Sequence, residues 1–109
     1  METTELLETL ARGEDSRHQF TRDVTNATSL ASEMAAFANS GGGQIFIGIA
    51  DDGTVNELDR PAVARLNQLI SNAASSNVRP AINPYTENVS VGKGIVLVVT
   101  IPAGLSKPY

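Results

Sequence analysis

Apolar positions along the 109-residue chain fall into blocks whose period changes from one block to the next, and the period predicts the element. Residues 3–10 read as a short helix. Thr3 is placed to cap it, Glu5 suits its positive end, Leu6, Leu7 and Leu10 form a stripe, and Gly13 stops it. Residues 18–22 alternate as a strand with Phe20 inward, and residues 25–28 carry polar loop chemistry. A second helix follows, capped by Thr28 or Ser29. Its Leu30, Met34, Phe37 and Ala38 recur at the spacing of one buried face until Asn39, Ser40 and Gly41 end it.

Residues 44–50 (QIFIGIA) are apolar on both alternate sets, as expected of a central strand covered on both faces. Asp52-Gly53 predicts a tight hairpin turn into a further strand over 54–58. Asp59 caps a third helix with Pro61 in its first turn; Val63, Leu66, either Leu69 or Ile70, and Ala73 make its core stripe, and residues 73–77 are expected to fray. Pro80 and Pro84 suit an edge or loop. Residues 85–91 then alternate, Gly92-Lys93-Gly94 turns, and residues 95–101 (IVLVVTI) form the strongest strand signal in the chain. The sum is a single α+β domain over residues 1–109, with a mixed sheet of about five to six strands packed with two to three helices. Its expected core is Phe20, Leu30, Met34, Phe37, Ile45, Ile47, Ile49, Leu66, Ile70, Val96 and Val98.

Composition agrees with a folded domain, since 41% of residues are hydrophobic and 18% charged. The chain has no cysteine, which excludes disulfides, thiolate metal sites and a cysteine nucleophile. Glu2, Glu5 and Glu8 precede any basic residue, unlike a secretory leader, and the apolar run 95–99 is too short to cross a bilayer. A cytoplasmic protein without a membrane partner is expected. Eight Lys and Arg against twelve Asp and Glu give a net charge of −4, whereas nucleic-acid binders usually carry a basic excess. The cations (Arg12, Arg17, Arg22, Arg60, Arg65, Arg79, Lys93, Lys107) stand singly, so only folding can gather them.

Three groups invite a chemical reading. Gly41-Gly42-Gly43 suggests a phosphate cradle, but the glycines follow a helix and precede a strand, and no Lys-Ser or Lys-Thr comes after them. A helix exit with a close backbone crossing is the expectation, and no nucleotide cofactor. Glu14 and Asp15 before the first strand, with Asp51 and Asp52 after the central one, either supply hard oxygens for Mg²⁺ or Mn²⁺ or do the ordinary work of turns. His18, the sole histidine, has no nucleophile motif beside it.

The stretch from Ser29, with AAFANSGGGQIFIGIADDG at its heart, closely resembles the signature of the Schlafen/AlbA-type DNA-binding domain. Asn39, Gly41, Gly42, Gly48, Asp52 and Gly53 carry that match as structural positions. Gly13-Glu14 before HQFTR resembles the family's entry motif, and residues 95–102 with Lys107-Pro108-Tyr109 resemble its exit. The resemblance implies the amino-terminal piece of a longer bacterial protein, a transcriptional regulator or a RecG-like ATP-dependent DNA helicase relative, with ATP binding confined to other regions. It implies DNA or RNA as the parent's partner. The contacts expected here are Arg17, Arg22 and Lys93, with four or more cations on one face as the supporting sign. Two alternatives are carried. One is a protein-interaction or homodimerisation domain, which the net charge favours. The other is a metal-dependent nuclease like that of animal Schlafens, which uses two Glu and one Asp. Glu14 matches the first Glu and Asp51 or Asp52 the Asp. Gln19 replaces the second Glu, and Thr21 stands where Lys is usual. A neutral amide supplies no charge to a divalent ion, so Glu14, Gln19 and Asp51 are degenerate candidates and no catalytic or metal-binding residue is expected.

Overall fold

Alternating apolar residues draw the chain into a four-stranded sheet, and three helices cover its two faces. The computed structural model describes residues 1–76, 78 and 82–104. In chain order the elements are α1 (Thr3–Arg12), β1 (His18–Thr21), α2 (Ala27–Asn39), β2 (Gly43–Ile47), α3 (Arg60–Ser76), β3 (Tyr85–Val91) and β4 (Gly94–Ile101). The strands lie in the order β1-β2-β4-β3. β1 runs parallel to β2, and both other pairings are antiparallel.

Pleating divides the core in two. Ile45, Ile47, Leu97, Val99 and Ile101 point to the face covered by α2 and α3. Phe46, Val96, Val98, Phe20 and Val89 point to the face covered by Leu6 and Leu10 of α1. β2 and β4 are therefore apolar on both alternate sets because both of their faces are roofed. Every residue of the expected core is buried. Phe46 meets Phe20 edge-on, with ring centroids 5.8 Å apart.

The sheet has four strands, fewer than the five to six expected, because residues 54–58 do not form one. Gly48 adopts φ 104°, which takes the chain off the pleat. The N–H groups of Gly48 and Ile49 then both donate to the Thr21 carbonyl, at 2.8 and 3.0 Å. Beyond this point the hairpin keeps a single bridge, Ile49 with Val55, and Leu58 makes another with Ile95 of β4.

Helix starts differ in detail. Thr3 does not cap α1; its Oγ1 donates to the Ser90 carbonyl of β3 at 2.8 Å. Leu7 is exposed and Thr9 is buried in its place, its Oγ1 donating to the Glu5 carbonyl at 2.9 Å. Asn26, rather than Thr28 or Ser29, caps α2, and its Oδ1 accepts from the Ser29 N–H at 3.0 Å. Asp59 caps α3 as expected, accepting from the Ala62 N–H at 2.9 Å. Ile70 rather than Leu69 faces the core, and Ala73 and Ala74 are buried within the last turns of a helix that continues to Ser76 instead of fraying from Ala73. Asn77, Pro80 and the Lys107-Pro108-Tyr109 exit lie outside the described residues.

Candidate functional site

At the exit of α2 the glycine run makes a tight crossing. Gly41 and Gly42 take φ values of 102° and 93°, and the Gly42 N–H turns back to the Phe37 carbonyl at 2.7 Å. A Cβ on Gly42 would come within 2.7 Å of the Ile101 carbonyl oxygen, and one on Gly43 within 2.2 Å of the Phe37 ring. Arg17 braces the turn, its Nη1 donating to the Gly41 carbonyl at 2.8 Å. Asn39 is exposed in the last turn of α2. The turn after β2 carries Asp51, exposed, then Asp52 and Gly53. The Gly53 N–H returns to the Ala50 carbonyl at 2.9 Å, and Asp52 Oδ1 accepts from the Thr54 N–H at 2.9 Å. Hydrogen bonds from Thr54, with Arg22 close by, hold the Asp52 carboxyl below the usual aspartate range.

The carboxylates near β1 have separate tasks. The Arg17 carbonyl accepts from Gln44 of β2 and the Thr21 carbonyl from Gly48 just beyond it, so the Phe20 N–H points to the open edge of the sheet, where Glu14 Oε1 accepts it at 2.7 Å. Asp15 Oδ1 accepts from the Arg17 N–H and from His18 Nδ1, each at 2.8 Å, and those bonds hold its carboxyl low. The His18 ring stacks on Phe46. Gln19 points to the other side of the strand, where its Nε2 donates to Glu33 Oε1 of α2 at 2.8 Å. Glu33 was not foreseen from the sequence. Its one signal was a charge at the border of the buried stripe of α2, three residues after Leu30. Among the described residues, no group of three or more His, Cys, Asp and Glu is arranged to hold a metal ion.

Of the three cations expected at an interface, the topology brings two to the same end of the sheet. Arg22 follows the end of β1. Lys93 sits on the two-residue turn between β3 and β4, where Gly92 takes φ 59°. Because β1 is parallel to β2 and β2 is antiparallel to β4, these two share an end, and Arg17 lies at the opposite one. Two further arginines join the shared end. Arg60 opens α3 and lines, with Lys93, Asp59 and Ser90, a pocket of about 420 Å³. Arg65 donates to Asp23 Oδ1 at 2.6 Å and to the Val24 carbonyl at 2.9 Å. The sequence signal for both was a helix holding two arginines and no acid. Carboxylates are interleaved with them: Asp23 on Arg65, Asp52 and Asp59 in caps and turns, and Asp51 and Glu57 exposed. Arg79 and Lys107 lie outside the described residues.

Comparison with known proteins bears on the family and the fold. The family profile described as Schlafen, AlbA_2 matches residues 14–109. The chain belongs to the Schlafen AlbA_2 family. Its fold is similar to the solution NMR structure of the amino-terminal domain of a RecG-related protein from Nitrosomonas europaea, a protein named after ATP-dependent DNA helicases. The TM-score is 0.63 at 23% identity, covering 100% of this chain and 85% of that one. No curated protein matches the chain. In this AlbA_2 domain the family match begins at Glu14, so α1 lies outside it, although Leu6 of α1 is fully buried against the sheet. No helix among the described residues is long and apolar enough to cross a membrane.

Proposed function

We propose that this AlbA_2 domain is a nucleic-acid-binding module that grips phosphates through Arg22, Arg60 and Lys93. In this reading it is the amino-terminal domain of a longer, cytoplasmic bacterial protein, a transcriptional regulator or a RecG-like helicase relative. The observation that carries the reading is the pocket shared by Arg60 and Lys93, two exposed cations 33 positions apart in sequence that make no ion pair among the described residues. Arg60 and Lys93 lining one opening with Ser90 suit a phosphate oxygen, and Asp59, the acid in the same wall, is taken up in capping α3. Family membership supports the same class of partner. Arg17, engaged at the opposite end, braces the glycine turn and stays outside the contact. Glu14, Gln19 and Asp51 are remnants of a nuclease set and not catalytic residues.

A net charge of −4 sets the expectation of weak, salt-sensitive binding. The test is titration of the chain with duplex and single-stranded DNA across a salt series. Affinity should fall linearly on a log-log plot, and Arg60→Ala and Lys93→Ala should each reduce the slope by about one. Arg17→Ala should leave the slope unchanged. A chain that ignores both DNAs at about 50 mM salt, yet sediments as a dimer, would replace this reading with homodimerisation.

A further inference from the structure

The third helix stands apart from the rest of this acidic chain. α3 spans 17 residues, about 25 Å of helix, and carries two arginines and none of the chain's twelve acidic residues. Its inner side is Val63, Leu66, Ile70, Ala73 and Ala74. At 100° per residue its exposed arc has small side chains at the middle, Ala64, Ser71 and Ser75, with Gln68 among them. Amides and arginines flank them, Asn67 with Arg60 on one side and Asn72 with Arg65 on the other. Gln68 Nε2 donates to Asn72 Oδ1 at 3.1 Å, so these two amides are held together.

Depressions run along both flanks. One of about 560 Å³ lies toward residues 23–25 and is lined by Arg65, Gln68 and Asn72. Another, of about 400 Å³, lies toward the start of β3 and is lined by Asn67, Ser71 and Ser75. The one acid bordering either is Asp23, already paired with Arg65. A face kept only for solubility needs no such selection. The solvent side of α1, by contrast, carries Glu5 and Glu8, with Glu2 at its cap.

We propose that the exposed face of α3 reads duplex DNA, lying in the major groove with Asn67, Gln68 and Asn72 addressing base edges. This rests on the nucleic-acid reading above, with Arg60 and Lys93 holding the backbone at the helix start. Three physical points select this partner. Carboxylates would be repelled by flanking phosphates, and the face has none. Small residues at its centre let the helix approach closely. Carboxamides pair in bidentate fashion with the N6 and N7 groups of adenine, and a groove about 12 Å wide admits a helix. The major groove of A-form RNA is too deep and narrow for this docking, so duplex DNA is favoured over duplex RNA.

Selection from a randomised duplex library with the full chain tests the proposal, with duplex RNA as competitor. Wild type should enrich a short motif that includes adenine. The triple variant Asn67→Ala, Gln68→Ala, Asn72→Ala, altered only at exposed positions, should keep its Tm and its salt-sensitive binding but enrich no motif. Ser71→Glu, an acid at the centre of the face, should weaken duplex binding roughly tenfold or more. Binding without enrichment, the same motif selected by the triple variant, or preference for duplex RNA would each overturn the role of α3 while leaving the phosphate reading intact. Absence of binding to any nucleic acid at low salt would remove both.

Discussion

The two faces of the sheet are built to different specifications. Among the described residues, one is roofed by the 13- and 17-residue helices α2 and α3 in a cluster of eighteen buried residues, the other by the 10-residue α1 in a cluster of eight. Their surfaces diverge as well. Within its own bounds α1 carries Glu5 and Glu8 with Arg12, whereas α3 carries Arg60 and Arg65 and no acid, the nearest carboxylates being Asp59 in its cap and Asp23 on Arg65. Net charge is a sum over positions and does not locate them. A chain at −4 can keep one helix free of carboxylates while its acids sit on turns, caps, β3 and the other two helices.

The largest expected effect tests whether the thinner face belongs to the cooperative core. Phe46→Ala, at a ring with no exposure under α1, should lose about 3–5 kcal/mol in urea unfolding. Phe37→Ala, on α2 in the other layer, should lose a similar amount. A loss below about 1 kcal/mol at Phe46 would make the α1 face an appendage and end the picture of one sheet with two roofs.

Next is the crossing between α2 and the sheet. Gly42→Ala must place a Cβ against the Ile101 carbonyl with the backbone at φ 93°, and should cost at least about 2 kcal/mol. An unchanged Tm would mean that the chain leaves α2 by another path.

A smaller effect concerns β1. Gln19→Glu would set a carboxylate beside Glu33, 2.8 Å from the present amide, and should destabilise the domain by about 1 kcal/mol at neutral pH. Wild type is expected to leave structured RNA and single-stranded DNA uncut in Mg²⁺ or Mn²⁺. Cleavage that disappears in Glu14→Ala would overturn the binding-module reading, and cleavage only in Gln19→Glu would reveal a degenerate nuclease site.

The smallest effect is on pH dependence. Asp15 and Asp52 are held below the ordinary value of 3.8, chiefly by hydrogen bonds from Arg17 and His18 and from Thr54. A lowered folded pKa means that the unfolded chain takes up protons first on acidification. The stability these groups contribute is therefore present above 3.8 and is lost as pH falls through their folded values. Curves of Tm against pH should be shallower below 3.8 in Asp15→Asn and Asp52→Asn. An unchanged acid limb would show that these bonds do not persist in solution.

Sequence alone determined the helices, the two-sided central strand, the core residues and the family, because burial stamps a period of 3.6 or 2 on the chain and the glycine-rich motif tolerates few alternatives. Residues 54–58 misled because alternation records which side chains are covered and not whether the backbone is paired. Tertiary structure alone decided the candidate interface. Arg60 and Lys93 line one opening because the chain brings the β3–β4 turn beside the start of α3. Glu33 meets Gln19 only because α2 lies over β1. Both are long-range juxtapositions of isolated polar residues, and polar residues on exposed or bordering positions obey no period that a sequence can display.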